Sequence, residues 1–169
     1  YHGDALGFKD FTFYDEAGRK TGYMDEKGQL TEFRYDAANR LVATIQYANA
    51  MTAGAIAALY DGSLASTATI TGARPAASNY DRWEWLVYDA ADRVVQKIET
   101  VRGAWEGQSA RVTSYSYDRA GNLDKTVESA NVLSPAQVAQ LMAQTPGTNL
   151  LKNPGFEGTA GWTTWNGHG

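Results

Sequence analysis

The chain has 169 residues, a formal net charge of −4, 43% hydrophobic residues and no cysteine, with a sequence pI near 5.1. Those values exclude a disulfide scaffold, a thiol nucleophile and a cysteine zinc site. The apolar content argues against disorder, and the lack of a basic stripe argues against nucleic acid as a partner. Aromatic residues make up 12%, including 10 Tyr and 5 Trp, which favours strands. No apolar run reaches the ~20 residues of a membrane-spanning helix. The chain opens at Tyr1 without a signal peptide or initiator methionine and stops at Gly169 in mid-motif, and so reads as a piece of a larger polypeptide.

From the N-terminus, Phe11 and Phe13 alternate with Thr12 and Tyr14, as in a half-buried strand. A turn is predicted over 15–18, a return strand over 19–24, a second turn over 25–28 and a strand over 30–35. After a further turn, 41–47 is a strand. An Ala-rich insertion then occupies about 49–80. Within it, 52–59 predicts a short helix with Thr52 as N-cap and Asp61-Gly62 as its stop. Residues 63–73 predict a loop or weak strand, and Arg74-Pro75-Ala76-Ala77-Ser78 one helical turn with Pro at its first position. The insertion is expected to be a surface excursion from the sheet; the sharper alternative is a lid or plug inside a shell.

Trp83, Trp85 and Val87 then alternate with Glu84, Leu86 and Tyr88, and 94–98 predicts the returning strand. Trp105 falls in a predicted hairpin loop. Residues 111–117 set Val112, Ser114 and Ser116 on one face and Thr113, Tyr115 and Tyr117 on the other, so tyrosine ladders across strands are expected to stabilise the sheet. Ser134 and Pro135 open a predicted helix with Val138, Leu141 and Met142 on one face, stopped by Pro146-Gly147. The domain reading is therefore a sheet over 1–130, a helix and linker over 131–147, and a separate strand over 148–169.

One pattern recurs along this path: aromatic, Asp, two variable residues, Gly/Asn/Asp, polar. It appears as Tyr14-Asp15-Glu16-Ala17-Gly18-Arg19, Tyr35-Asp36-Ala37-Ala38-Asn39-Arg40, Tyr88-Asp89-Ala90-Ala91-Asp92-Arg93 and Tyr117-Asp118-Arg119-Ala120-Gly121-Asn122. A degenerate copy, Met24-Asp25-Glu26-Lys27-Gly28-Gln29, sits between the first two. An Asp carboxylate accepts backbone N–H bonds two residues on and starts a tight turn. The fifth position must tolerate a left-handed backbone, hence Gly18, Gly28, Asn39, Asp92 and Gly121. Each copy reads as strand, turn, strand, and a unit this short must stack on its neighbours to bury a core.

These residues resemble the YD repeat, also called the RHS repeat, over roughly residues 8 to 130. That family includes bacterial Rhs proteins, the BC shells of Tc toxins and the teneurins. The resemblance implies a long β-sheet ribbon that spirals into a hollow shell, in bacteria often around a toxic cargo. In such bacterial shells an autoprotease can follow the repeats; its motif does not occur here. Separately, Asn149-Leu150-Leu151-Lys152-Asn153-Pro154-Gly155-Phe156-Glu157 with Gly161-Trp162 resembles the first strand of carbohydrate-binding jelly-roll modules. The rest of such a module is absent, so 148–169 reads as a truncated module or a strand-exchange segment. Trp162 and Trp165 are candidates for stacking on sugars or, more simply, for packing against a neighbour.

No reacting centre is legible. His2 and His168 stand at opposite ends, Ser63, Ser66 and Ser78 lack a nucleophile-elbow context, and no phosphate-binding glycine loop occurs. The repeated Asp15, Asp25, Asp36, Asp89 and Asp118 either cap their own turns or, less economically, converge on Ca²⁺, which needs six or more oxygens at one point. The expected fold is mainly β, an antiparallel meander of repeat hairpins with one or two short helices. The expected function is structural, with no enzyme activity, metal or cofactor: a scaffold, shell or fibre segment of a large secreted or surface-displayed bacterial protein. A glycan-binding adhesin module and the encapsulating shell of a toxin are the alternatives. Expected partners are the rest of the polypeptide or copies of the chain, and glycans under the adhesin reading. An open ribbon leaves unpaired edges, so a filament is a natural outcome.

Overall fold

A computed structural model of the chain describes residues 2–3, 9–60, 68–101, 109–129 and 133. Among the described residues nine strands follow one another in a single antiparallel meander in which every strand pairs with its sequence neighbours. They are β1 (His2–Gly3), β2 (Lys9–Tyr14), β3 (Lys20–Met24), β4 (Gln29–Tyr35), β5 (Leu41–Ala50), β6 (Arg82–Tyr88), β7 (Val94–Val101), β8 (Ser109–Tyr117) and β9 (Leu123–Glu128). Two helices, α1 (Ala53–Tyr60) and α2 (Ala68–Ala73), interrupt the run between β5 and β6. The fold is thus mainly β, as the alternation and the turn chemistry imply. The predicted hairpin loop around Trp105, the helix over 134–144 and the strand with Trp162 and Trp165 lie outside the described residues.

Because strand direction reverses at every turn, alternate connections fall at opposite ends of the sheet. The four turns that follow a tyrosine (15–19, 36–40, 89–93 and 118–122) join β2 to β3, β4 to β5, β6 to β7 and β8 to β9, and so share one end. The degenerate copy at 25–28 joins β3 to β4 and sits at the other end, with the insertion.

Period-two alternation then fixes what each face does. On one face Met24, Leu30, Ile45 and Tyr47 are buried together with Met51, Leu59, Ile70 and Ala73 from the insertion. Farther along the same face Ala43, Trp85, Ile98, Ala110 and Val112 form a second cluster with Leu133, and Trp83 packs against both. Leu133 extends the last strand's line, exchanging both backbone bonds with Ala110.

The insertion is therefore not an excursion away from the sheet: its apolar side chains complete the core over β3–β5. Two glycines make room for it. A side chain at Gly22 would run into Ile70 of α2, and one at Gly28 would meet Ile56 of α1. Thr52 caps α1, its Oγ1 accepting from the N–H of Ala55 at 3.2 Å. Residues 68–73, expected as loop or weak strand, are helical, since Ile70 and Ala73 three apart bury one face on the sheet. The predicted helical turn at 74–78 does not form. Arg74 precedes Pro75, which disfavours helical backbone at residue 74 and ends α2 at Ala73. The buried Asp81 closes the insertion, accepting from the N–H groups of Ala48 and Ser78 at 2.8 and 3.0 Å.

Candidate functional site

The five aspartates each serve their own bend. In every turn the N–H three residues after Asp bonds the Asp carbonyl, at 2.9–3.2 Å, and the Asp N–H bonds the carbonyl four residues on, at 2.9–3.0 Å. One carboxylate oxygen accepts the N–H at position +4: Arg19, Gln29, Arg40, Arg93 and Asn122, at 2.8–3.0 Å. In the first four turns counted along the chain it also accepts the N–H at +2, from Ala17, Lys27, Ala38 and Ala91. The residue at +3 is left-handed in all five: Gly18 (φ 76°), Gly28 (77°), Asn39 (64°), Asp92 (60°) and Gly121 (87°). Among the described residues no three carboxylate or imidazole groups converge as a metal site would require.

The second carboxylate oxygen links one repeat to the next. Arg19, Arg40 and Arg93 donate from Nε to Asp15, Asp36 and Asp89 at 2.6, 2.8 and 2.8 Å. Each guanidinium, so held, lies over the ring of the following repeat's tyrosine. Arg19 is 5.0 Å from the centroid of Tyr35, Arg40 4.8 Å from Tyr88, and Arg93 4.6 Å from Tyr117. Its far end reaches the next left-handed residue where that residue has an acceptor: Arg19 Nη1 donates to Asn39 Oδ1 at 2.7 Å and Arg40 Nη1 to Asp92 Oδ1 at 2.6 Å. Gly121 offers Arg93 no such acceptor.

Each tyrosine answers in the opposite direction. The hydroxyls of Tyr35, Tyr88 and Tyr117 donate to the carbonyls of Lys20, Leu41 and Val94, at 2.9, 2.8 and 2.7 Å. In each case the acceptor is the residue that begins the strand after the preceding turn. Rings two strands apart stand ~10 Å from one another, so an arginine fills the gap in place of the expected ring-on-ring ladder. The described stacked pair is instead Trp83 with Trp85, centroids 5.3 Å apart. Arg19, Arg40 and Arg93 stand in the repeat strings, but their role is not visible there. It appears once the register sets Arg19 beside Tyr35 and Arg40 beside Tyr88.

The carboxyls of Asp15, Asp36, Asp89 and Asp118 are all held below the usual range. At Asp15 and Asp36 desolvation opposes the charged form, and the backbone and guanidinium bonds from Arg19 and Arg40 overcome it. At Asp89 the backbone N–H of Arg93 leads. At Asp118 the side-chain amide of Asn122 leads, in the place that arginine holds elsewhere.

At position +3 the backbone angle and the rung can be separated. Asn39→Gly keeps the left-handed angle and loses only the bond from Arg19, so it is expected to change stability by less than about 0.5 kcal/mol. Asn39→Ala loses the bond and strains the backbone, at about 1 kcal/mol. Urea unfolding of the two variants measures the difference.

A second polar cluster lies on the buried face and has no precursor in the turn motif. Glu32, 3% exposed, sits opposite Gly22 on one side and Ile45 on the other. Arg74 binds it bidentately, Nε to Oε2 at 2.8 Å and Nη2 to Oε1 at 2.6 Å. Arg34 Nε adds a bond at 2.9 Å and the Tyr47 hydroxyl one at 2.7 Å. Desolvation pushes Glu32 up, but the bonds from Arg74, Tyr47 and Arg34 bring it below its ordinary range. Desolvation and the adjoining Glu32 carboxylate push Tyr47 well up. Arg74 comes from the insertion and Glu32 from the sheet, so this is the polar anchor of the cap. The sequence signal was Glu32 in phase with Leu30 and Arg34 on a strand.

Compared with known proteins, residues 14–50 match the family model described as RHS Repeat. No curated protein matches the chain. The matched stretch runs from Tyr14 to the end of β5 and holds the first three turns. The turns at 89–93 and 118–122 repeat their geometry outside it.

Proposed function

We propose, from the premise that this chain is a YD-repeat (RHS-repeat) protein, that it is a non-catalytic scaffold segment of a large secreted or surface-displayed bacterial protein. The observation that carries this reading is the use to which the repeat's polar side chains are put. Asp, Arg and Tyr of successive repeats bond and stack on one another along one end of the sheet. A carboxylate that already accepts two backbone N–H groups and a guanidinium is poorly placed to act as a general base or metal ligand. What such a row does well is tie each hairpin to the next, so that neighbouring repeats hold together as one strip.

Hydrogen exchange on the purified chain, with a glycan array beside it, tests the reading. Amides of β3–β8 are expected to exchange slowest, and Arg40→Ala to loosen the turns at both 36–40 and 89–93, because Arg40 bridges them. The array is expected to stay silent. Saturable binding of a glycan would assign the chain to adhesion instead. Loosening confined to 36–40 would remove the linked-strip argument.

A further inference from the structure

The three inter-repeat junctions share one register. Pairing of Gly22 with Glu32 runs on to set Arg19 opposite Tyr35; Ala43 with Trp85 sets Arg40 opposite Tyr88; Gln96 with Ser114 sets Arg93 opposite Tyr117. Each junction joins a strand leaving a corner turn to a strand entering the next one. Among the described residues the outermost repeat strands each carry half of such a junction. β9 leaves the turn at 118–122 with Asn122 in the arginine position, and among the described residues no strand lies beyond it. β2 enters the turn at 15–19 with Tyr14 in the tyrosine position. Among the described residues β1 pairs with Lys9 and Asp10, at the far end of β2 from that turn.

The two halves are complementary. Continuing the common register sets Asn122 opposite Tyr14, Leu123 opposite Phe13, Asp124 opposite Thr12 and Lys125 opposite Phe11. Val127, beside Ser114, continues the core face of β8, whereas the register shift next to the turn sets Leu123 beside Tyr117 on the opposite face, the face that Tyr14 shares on β2. Phe11 and Phe13 lie on the core face of β2. Four large apolar side chains are conspicuously exposed among the described residues: Tyr14 (57%), Leu123 (56%), Val127 (45%) and Tyr80. Three of the four lie on these two edges, and the register brings Tyr14 and Leu123 together. The carbonyl of Leu123 stands where those of Lys20, Leu41 and Val94 accept a tyrosine hydroxyl.

We infer that β9 of one chain receives β2 of a second copy in this register, so that copies add head to tail and continue the sheet. This rests on the scaffold reading and names its partner. The contact is heterologous and, among the described residues, repeats the outer sides of β2 and β9 at the two ends of the product, so it propagates as an open chain. It is weak in this chain for two reasons visible in the fold. Asn122 is too short to lie over Tyr14 as Arg19, Arg40 and Arg93 lie over theirs. β1 also occupies the line that Thr126 and Val127 would take beside Asp10 and Lys9, so full pairing displaces it.

The chain has no cysteine, which allows a direct test of register. Chains carrying Thr12→Cys and Asp124→Cys, one bearing a mass tag, are mixed and oxidised. A disulfide-linked heterodimer is expected, with little product when Lys125→Cys, on the other face, replaces Asp124→Cys. In sedimentation velocity the average mass is expected to rise with concentration. Asn122→Arg should strengthen association roughly two- to fivefold through the restored ring contact, deletion of residues 1–8 should strengthen it further, and Tyr14→Ala should weaken it. A chain that stays monomeric at every concentration, with Asn122→Arg and the deletion included, overturns the inference. So does association indifferent to both Tyr14 and Asn122. Neither result touches the exchange and glycan measurements that judge the scaffold reading.

Discussion

Glu32→Gln is expected to lower the stability of the chain by about 2–3 kcal/mol at neutral pH, although position 32 lies in no turn and in no repeat string. The carboxylate is buried and takes four hydrogen bonds, two from Arg74 and one each from Arg34 and Tyr47. Gln keeps the shape and one acceptor oxygen, but its amide confronts donors on every side. Two guanidinium groups are left facing each other with no counter-charge. Breaking a fully buried pair costs ~3–5 kcal/mol. The lower figure here reflects Arg74, whose side chain is 33% exposed and regains some water.

The pH dependence carries the sign. Glu32 titrates lower in the folded chain than in the unfolded one. Its contribution is thus complete above the unfolded value and lost as pH falls through the folded one. The gap between parent and Glu32→Gln should therefore narrow as urea unfolding is repeated from pH 7 down to about pH 3. A gap constant with pH would show that the ionised carboxylate is not what holds the cap. The carboxyls of Asp15, Asp36, Asp89 and Asp118 are depressed as well, so both chains should lose stability over the same acid range.

What was legible in the sequence follows from how local each cause is. A left-handed residue three after Asp is a local demand, met by Gly, Asn or Asp at Gly18, Gly28, Asn39, Asp92 and Gly121. The hairpins could therefore be read from short strings. The rungs between repeats are not local: Arg40 and Tyr88 meet across the whole length of the insertion. The degenerate turn at 25–28 looked like a worn copy of the others. Strand parity puts it at the opposite end, where α1 packs on Gly28 through Ile56 and the N–H of Met51 bonds the Gly28 carbonyl at 2.9 Å. No tyrosine or arginine is needed there. In α2, Thr69, Thr71 and Gly72 are poor helix formers. Burial of Ile70 and Ala73 outweighs that propensity, and a string of letters does not show which face of a neighbour is waiting.

Trp83→Ala should be comparably damaging, at about 3 kcal/mol, the lower end of the range for removing a large aromatic because Trp83 is only partly buried. Its position is what raises the stakes. The ring packs on the cluster beneath the insertion and on the cluster between β5 and β8, stacks on Trp85, and lies 5.1 Å from the Arg34 guanidinium that also binds Glu32. Its backbone N–H donates to Thr100 Oγ1 at 2.9 Å, a tie that the substitution leaves in place. Truncation therefore removes side-chain packing between two halves of the sheet without cutting the ladder. Repeat arrays hold together through contacts between adjacent units, so weakening one contact lowers cooperativity as well as stability. Circular dichroism of urea unfolding is expected to show a lower midpoint and a shallower slope for Trp83→Ala. Ile98→Ala, within one cluster, should lower the midpoint at unchanged slope. Equal slopes for both would mean that the sheet's backbone pairing alone couples the halves, and that Trp83 is one core residue among many.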